Sequence, residues 1–199
     1  YAVTAVSKHN IFGTGYETAL GCELAGGNST GISGEDNAVQ RYVQCVDNID
    51  MSETLAVVIL NSPAYAGTTY FGYTNQTKVV EFAIAYCPVI YDLQSESFRQ
   101  VLVHEAVGHG FAKLEDEYAY QENGTISSKE IKNVQYLQTL GWAQNVDFTS
   151  DPSQVLWSAF LNDNRYVSEK LGVFEGACTY IKGAYRPSEE SMMNSNTEG

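Results

Sequence analysis

Two of the three histidines in this chain bracket a glutamate, in the run His104-Glu105-Ala106-Val107-Gly108-His109, and the acidic triplet Glu115-Asp116-Glu117 follows shortly after. Two imidazoles with carboxylates nearby are the ligand and base set of a hydrolytic zinc centre. The spacing constrains the backbone. In the common zinc-peptidase helix the histidines are four residues apart, which leaves them about 40° apart around the axis and able to share one ion. Here they are five apart, which on a regular α-helix separates them by roughly 140°. A π-bulge absorbs one extra residue and tends to occur at functional sites. Gly108 lies where the backbone has to relax. The spacing therefore predicts a helix that is widened or unwound at Val107-Gly108.

The flanking residues fit a buried helix. From Ser97 to His109, Phe98, Val101, Leu102 and Val107 form an apolar stripe at helical spacing. Ser95 or Ser97 suits the N-cap, and Glu96 suits the positive helix end. Two glycines in three residues predict a stop near Gly108–Gly110. The chain is then expected to turn and bring Asp116, or a neighbour, towards the metal, leaving one position open for water. Further on, Met192 and Met193 close the run Arg186–Asn194. A methionine turn there would place an apolar, polarisable floor beneath a metal.

The strings HEAVGHGFAKLEDEY and GACTYIKGAYRPSEESMMN together resemble the immunoglobulin A peptidase family of bacterial zinc metallopeptidases. YAVTAVSK, FGTGYET and VVILNSPAYAGTTYFGY are similar to strands and loops of its catalytic domain, so the resemblance spans most of the chain. It implies an α/β (α+β) metzincin-like zincin domain, with a mixed twisted sheet over an active-site helix, a less regular lower part and a substrate cleft. It also implies His104, His109 and Asp116 as zinc ligands, Glu105 as general base and Met192 or Met193 as the methionine turn. There are two departures. Metzincins place glycine three residues after the second histidine, where this chain has Ala112. Their third ligand comes six residues after it, which would be Glu115, whereas the DEY pattern selects Asp116. Glu115 stays the alternative, and Glu117 is expected to support the loop. A dipeptidyl peptidase III-type arrangement would instead use Glu130, which lacks supporting motif residues.

The chemistry expected of such a site is peptide hydrolysis, with water activated by zinc and Glu105, and Glu105 returning the proton to the leaving amine. Tyr180 and Tyr185 are candidate donors to the oxyanion. Tyr118 is expected to buttress the ligand loop.

At 199 residues the chain is read as one catalytic domain, with an upper part over about 1–110 and a lower part over about 111–199. Its start already alternates like a strand, and it reads as a processed or truncated chain whose flanking domains are missing. A net charge of −13 argues against nucleic acid and anionic membranes as partners. It allows Ca2+ around Asn145, Asp147 and Asp151. No stretch is apolar and long enough to span a membrane. Four cysteines allow two disulfides, of which Cys22–Cys45 closes the shortest loop and is preferred. Few Lys and Arg and abundant Tyr, Asn, Ser and Thr suit an exported protein, whether secreted, periplasmic or on the cell surface. Sequons stand at Asn28, Asn75 and Asn123.

Tyr1–Ser7 and Thr54–Leu60 read as strands around a helix over about Glu35–Asn48, a βαβ pattern. Thr68–Tyr73 and Val79–Tyr86 read as further strands, the first a candidate edge for an extended substrate. Ser127–Leu140 reads as a capped helix stopped by Gly141, and Val155–Phe160 and Tyr180–Tyr185 as short segments. Two other functions are compatible with these residues. One is a pseudo-peptidase that binds zinc without turnover. The other is a glycan- or protein-binding module in which the histidine segment has no role.

Overall fold

The structure, a computed structural model, describes residues 1–7, 18–25, 30–75 and 78–196. His9, the FGTGYET stretch up to Glu17 and the sequon at Asn28 lie outside the described residues. The chain divides into two compact units, Tyr1–Phe111 and Ala112–Gly199.

The first unit is built on a mixed sheet of three strands, β3 (Leu55–Leu60), β4 (Thr68–Asn75) and β5 (Lys78–Pro88), in the order β3-β5-β4. β3 runs parallel to β5, and β4 runs antiparallel to it. Period-two alternation splits the side chains between two faces. Ala56, Val58, Leu60, Phe82, Ile84 and Tyr86 form one buried cluster with Ile32 and Val39. Ile32 belongs to β2 (Ile32–Ser33), which pairs with β1 (Glu23–Leu24), and Val39 to α1 (Asp36–Val43). On the opposite face Ala85 and Cys87 meet Phe98 and Ala106, with Leu55 and Leu102 packed against them. Both faces are covered, as expected where a central strand reads as continuously apolar. The Tyr86 hydroxyl donates to the Asp36 carboxylate at 3.2 Å. Burial first, and then the Asp36 charge, pushes its pKa well up.

Two expectations for this unit fail. Tyr1–Ser7 forms no strand, so the βαβ unit starting there is absent, and the parallel pair is β3 with β5. Val3 is 46% exposed and Val6 81%, so the segment has no buried face to hold it in register. The Cys22–Cys45 bridge is not formed, and all four cysteines are free. Cys22 is buried with its sulfur 3.7 Å from the Leu20 carbonyl, whereas Cys45 is exposed and faces the Arg41 carbonyl at 3.4 Å.

The second unit holds α3 (Ser128–Thr139), α4 (Ser158–Leu161), the hairpin β6 (Phe174–Ala177) and β7 (Tyr180–Arg186), and the short α5 (Met192–Ser195). α3 begins as its sequence predicts, with Ser127 Oγ accepting from Glu130 N–H at 3.2 Å. It ends before Gly141, which adopts φ +83°. The β6–β7 turn is Cys178-Thr179, at φ +53° and +67°. That is the conformation of a two-residue type I′ turn, here without the usual Asn or Gly. Ile126, Val134, Ala143, Val146, Ala177, Cys178 and Ala184 form the core of this unit. No helix among the described residues is long and apolar enough to cross a membrane.

Candidate metal centre

α2 (Glu96–Leu102) starts at Ser95, whose Oγ accepts from Phe98 N–H at 3.1 Å, and it buries Phe98 and Val101. From Val103 to Phe111 the helix continues as a π-helix. Its i→i+5 bonding stacks residues five apart, which regular α-helix forbids. His104 and His109 therefore come together, with Nε2 atoms 3.1 Å apart and rings at 77°. The widening is longer than the expected kink at Val107-Gly108. It also turns Val107 to 50% exposure, removing it from the apolar stripe. The π-helix ends at Phe111, one residue past the expected stop near Gly108–Gly110. Gly110 lies inside it and permits close packing, since a Cβ there would fall 2.6 Å from Leu55 Cδ1. The exit comes at Lys113, which adopts φ +57°.

Glu105 is buried. Alternation along β4 turns Thr68 towards Ile32, whose N–H it accepts at 2.8 Å, and turns Thr69 to the helix side. Thr69 Oγ1 reaches Glu105 Oε2 at 2.8 Å and the Glu105 carbonyl at 2.9 Å. A Cβ on Gly67 would fall 2.6 Å from Glu105 Oε1. Neither Gly67 nor Thr69 was marked by any motif, because their role depends on strand phase and a contact 36 residues away in sequence.

The segment after the helix is tied down residue by residue. Asn145 accepts from Glu115 N–H at 2.9 Å and donates to the Glu115 carbonyl at 2.8 Å and to Glu117 Oε1 at 2.9 Å. Buried Glu117 also accepts from Ser191 Oγ at 2.6 Å, and its N–H donates to the Met193 carbonyl at 2.9 Å. Met193 is itself buried. The Asp116 carbonyl accepts from Cys178 N–H at 2.9 Å and that of Tyr118 from Thr179 N–H at 3.0 Å, so this segment clasps the left-handed hairpin turn. Burial first, then the Asp116 charge and hydrogen bonding with Tyr120 and Asp116, raises the Tyr118 hydroxyl pKa.

Ligand atoms of His104, His109 and Asp116 all lie within 4.8 Å of one another, with His104 buried and the other two half-buried. Two nitrogens bound to one tetrahedral zinc lie roughly 3.3 Å apart, close to the observed histidine separation. The donor set thus fits a metal ion in both chemistry and spacing. Among the described residues it is the one such group of His, Cys, Asp and Glu side chains.

The other candidates are placed differently. Tyr180 packs against the core of the second unit, and Tyr185 is half-buried in β7. The residues around which Ca2+ was expected form hydrogen bonds to nearby chain. Asp147 accepts from Phe148, Thr149 and Leu156 N–H groups, Asp151 from Ser153 and Gln154, and Asn145 holds the Glu115–Glu117 segment. Asn123 Nδ2 donates to Thr179 at 3.0 Å, which engages the nitrogen that glycosylation would modify.

Over residues 13–167 the sequence matches the model of the IgA Peptidase M64 family. The chain belongs to this family. Membership points to a peptidase, with protein as its substrate class, and the histidine–aspartate group lies within the matched segment. No curated protein matches the chain.

Proposed function

We propose that this member of the IgA Peptidase M64 family is a zinc-dependent endopeptidase, with His104, His109 and Asp116 as ligands and Glu105 as general base. The observation that carries the reading is the pair of Nε2 atoms 3.1 Å apart with an Asp116 ligand atom in the same group. Zinc held there would polarise the scissile carbonyl and acidify the attacking water. Glu105, next to a ligand in sequence and bonded to Thr69, takes the water's proton and passes it to the leaving amine. β4 is one of the two outer strands of its sheet and carries Thr69, so an extended substrate pairing along it would run close to Glu105. Met193, buried and bonded through its carbonyl to Glu117, serves as the methionine turn, with Met192 beside it. We place the activity outside the bacterial cytoplasm, in a secreted, periplasmic or surface protein, on its acidic charge and few basic residues.

The test is metal analysis of the purified chain together with cleavage of a mixed-sequence fluorogenic peptide library, with and without chelator. Glu105→Gln is expected to retain zinc and lose about 10²–10⁴-fold in turnover. Absence of stoichiometric zinc, or equal turnover by the variant, refutes the reading. Zinc without turnover in the wild-type chain makes it a pseudo-peptidase. Tyr180→Phe and Tyr185→Phe, read for a fall in kcat at unchanged KM, test the two oxyanion donors.

A further inference from the structure

We infer that Thr69 and Gly67, at the entry to β4, are positioning residues that hold the Glu105 carboxylate in its working rotamer. This inference rests on the assignment of Glu105 as general base.

Three observations carry it. Thr69 Oγ1 lies 2.8 Å from Glu105 Oε2 and 2.9 Å from the carbonyl of the same residue, so one hydroxyl spans the side chain and its own backbone. Both oxygens are acceptors and the hydroxyl has one proton, which it donates to one of them or shares between the two as a three-centre bond. On the other carboxylate oxygen Gly67 packs so closely that a Cβ would fall 2.6 Å from Oε1, 2.7 Å from Cγ and 2.9 Å from Cδ. The side chain is thus bonded on one oxygen and sterically bounded on the other. Third, the cradle is rigid. Thr69 pairs with Ala85 in the sheet register, and Thr68 between the two residues is fixed by Ile32 N–H at 2.8 Å.

A glutamate has three rotatable bonds, and a helical backbone leaves more than one rotamer open to it. Proton transfer needs the carboxylate within hydrogen-bond reach of the water. Misplacement by about 1 Å costs on the order of 10²-fold in rate. The cradle therefore acts on turnover through Glu105, without contact with the reacting atoms.

The experiment compares Thr69→Val, Thr69→Ser and Gly67→Ala with wild type and Glu105→Gln, using the best-cleaved fluorogenic peptide from the library. Thr69→Val keeps the shape and removes the hydroxyl. It is expected to lower kcat by about 10–100-fold with KM and zinc content unchanged, and Thr69→Ser should restore kcat to within about threefold. Gly67→Ala should lower kcat similarly. A second readout needs no turnover: crystal structures of the metal-free chain should show Glu105 in one rotamer in wild type and Thr69→Ser, and displaced or in several rotamers in Thr69→Val. A Glu105 rotamer unchanged in Thr69→Val overturns the inference, as does a kcat within twofold of wild type. If Glu105→Gln is as active as wild type the general-base reading fails instead, and the crystal structures still decide whether Thr69 and Gly67 set the rotamer.

Discussion

Replacing Glu117 by glutamine tests how the DEY segment is held. Glu117 is 3% exposed, and its carboxylate accepts from Ser191 Oγ at 2.6 Å and Asn145 Nδ2 at 2.9 Å. A hydrogen bond to a charged group contributes about 1.5–3 kcal/mol. Glutamine keeps the shape and one acceptor oxygen, but turns an NH2 group towards the other donor. One charge-assisted bond is lost and the second weakened, offset in part by relief of the buried charge. The net cost is about 2–3 kcal/mol, which for a chain of this size lowers Tm by about 4–12 °C. Calorimetry at pH 7 on wild type, Glu117→Gln, Ser191→Ala and the double variant measures it. The double variant should be less destabilised than the sum of the singles, with a coupling of about 1 kcal/mol or more. Zinc affinity should also fall by about 10–100-fold, as for partners that orient ligands. A Tm within about 1 °C of wild type, or additive singles, would refute the account.

Other consequences are equally direct. Cys45 is the exposed thiol, while burial pushes Cys22 up to about 11 and Cys87 up to about 12; a thiol reagent should therefore titrate one fast equivalent in the folded chain and four after denaturation, and a missing fast equivalent would restore the Cys22–Cys45 bridge. Cys87 ionises from about pH 9 in the unfolded chain and at about 12 in the folded one, so the folded state loses stability as pH rises from 9 towards 12. The Cys87 share of the slope should be up to about 1.4 kcal/mol per pH unit, and in Cys87→Ala Tm should fall less steeply with pH over that window. Free zinc at about a hundred times its Kd should stabilise the chain by about 2.7 kcal/mol, a Tm rise that chelator reverses and that His109→Ala abolishes.

How much of this was readable in the sequence depends on whether the cause was local. The Ser127 cap, the end of α3 before Gly141 and the strand at β5 were legible because each is set within a few residues. The need for a widened helix was legible too, since five-residue spacing admits few ways for two histidines to meet. Its extent was not. Once i→i+5 bonding begins at Val103 it persists to Phe111, changing which side chains face the sheet and exposing Val107. The packing role of Gly110 was illegible because a glycine that permits close packing against Leu55 looks the same in sequence as one that ends a helix. The role of Asn145 was illegible for a similar reason. Its partners, Glu115 and Glu117, lie about thirty residues earlier and are chosen by tertiary structure alone.

The two departures from metzincin spacing have one origin. In HExxHxxGxxH the turn glycine and the third ligand follow the second histidine by three and six residues. In this chain the left-handed residue is Lys113, four after His109, and Asp116 is seven after it. Each falls one residue late, as does His109 itself relative to His104. Ala112 therefore has no need to be glycine, because the left-handed turn has moved on to Lys113. A lysine there costs about 1 kcal/mol relative to glycine, and Ala143 N–H bonds its carbonyl at 2.8 Å while its ammonium lies 5.8 Å from the Trp142 ring. The π-helix thus stretches the spacing between the histidines, and the turn that follows carries a second one-residue delay, so that Asp116 rather than Glu115 is the carboxylate grouped with them.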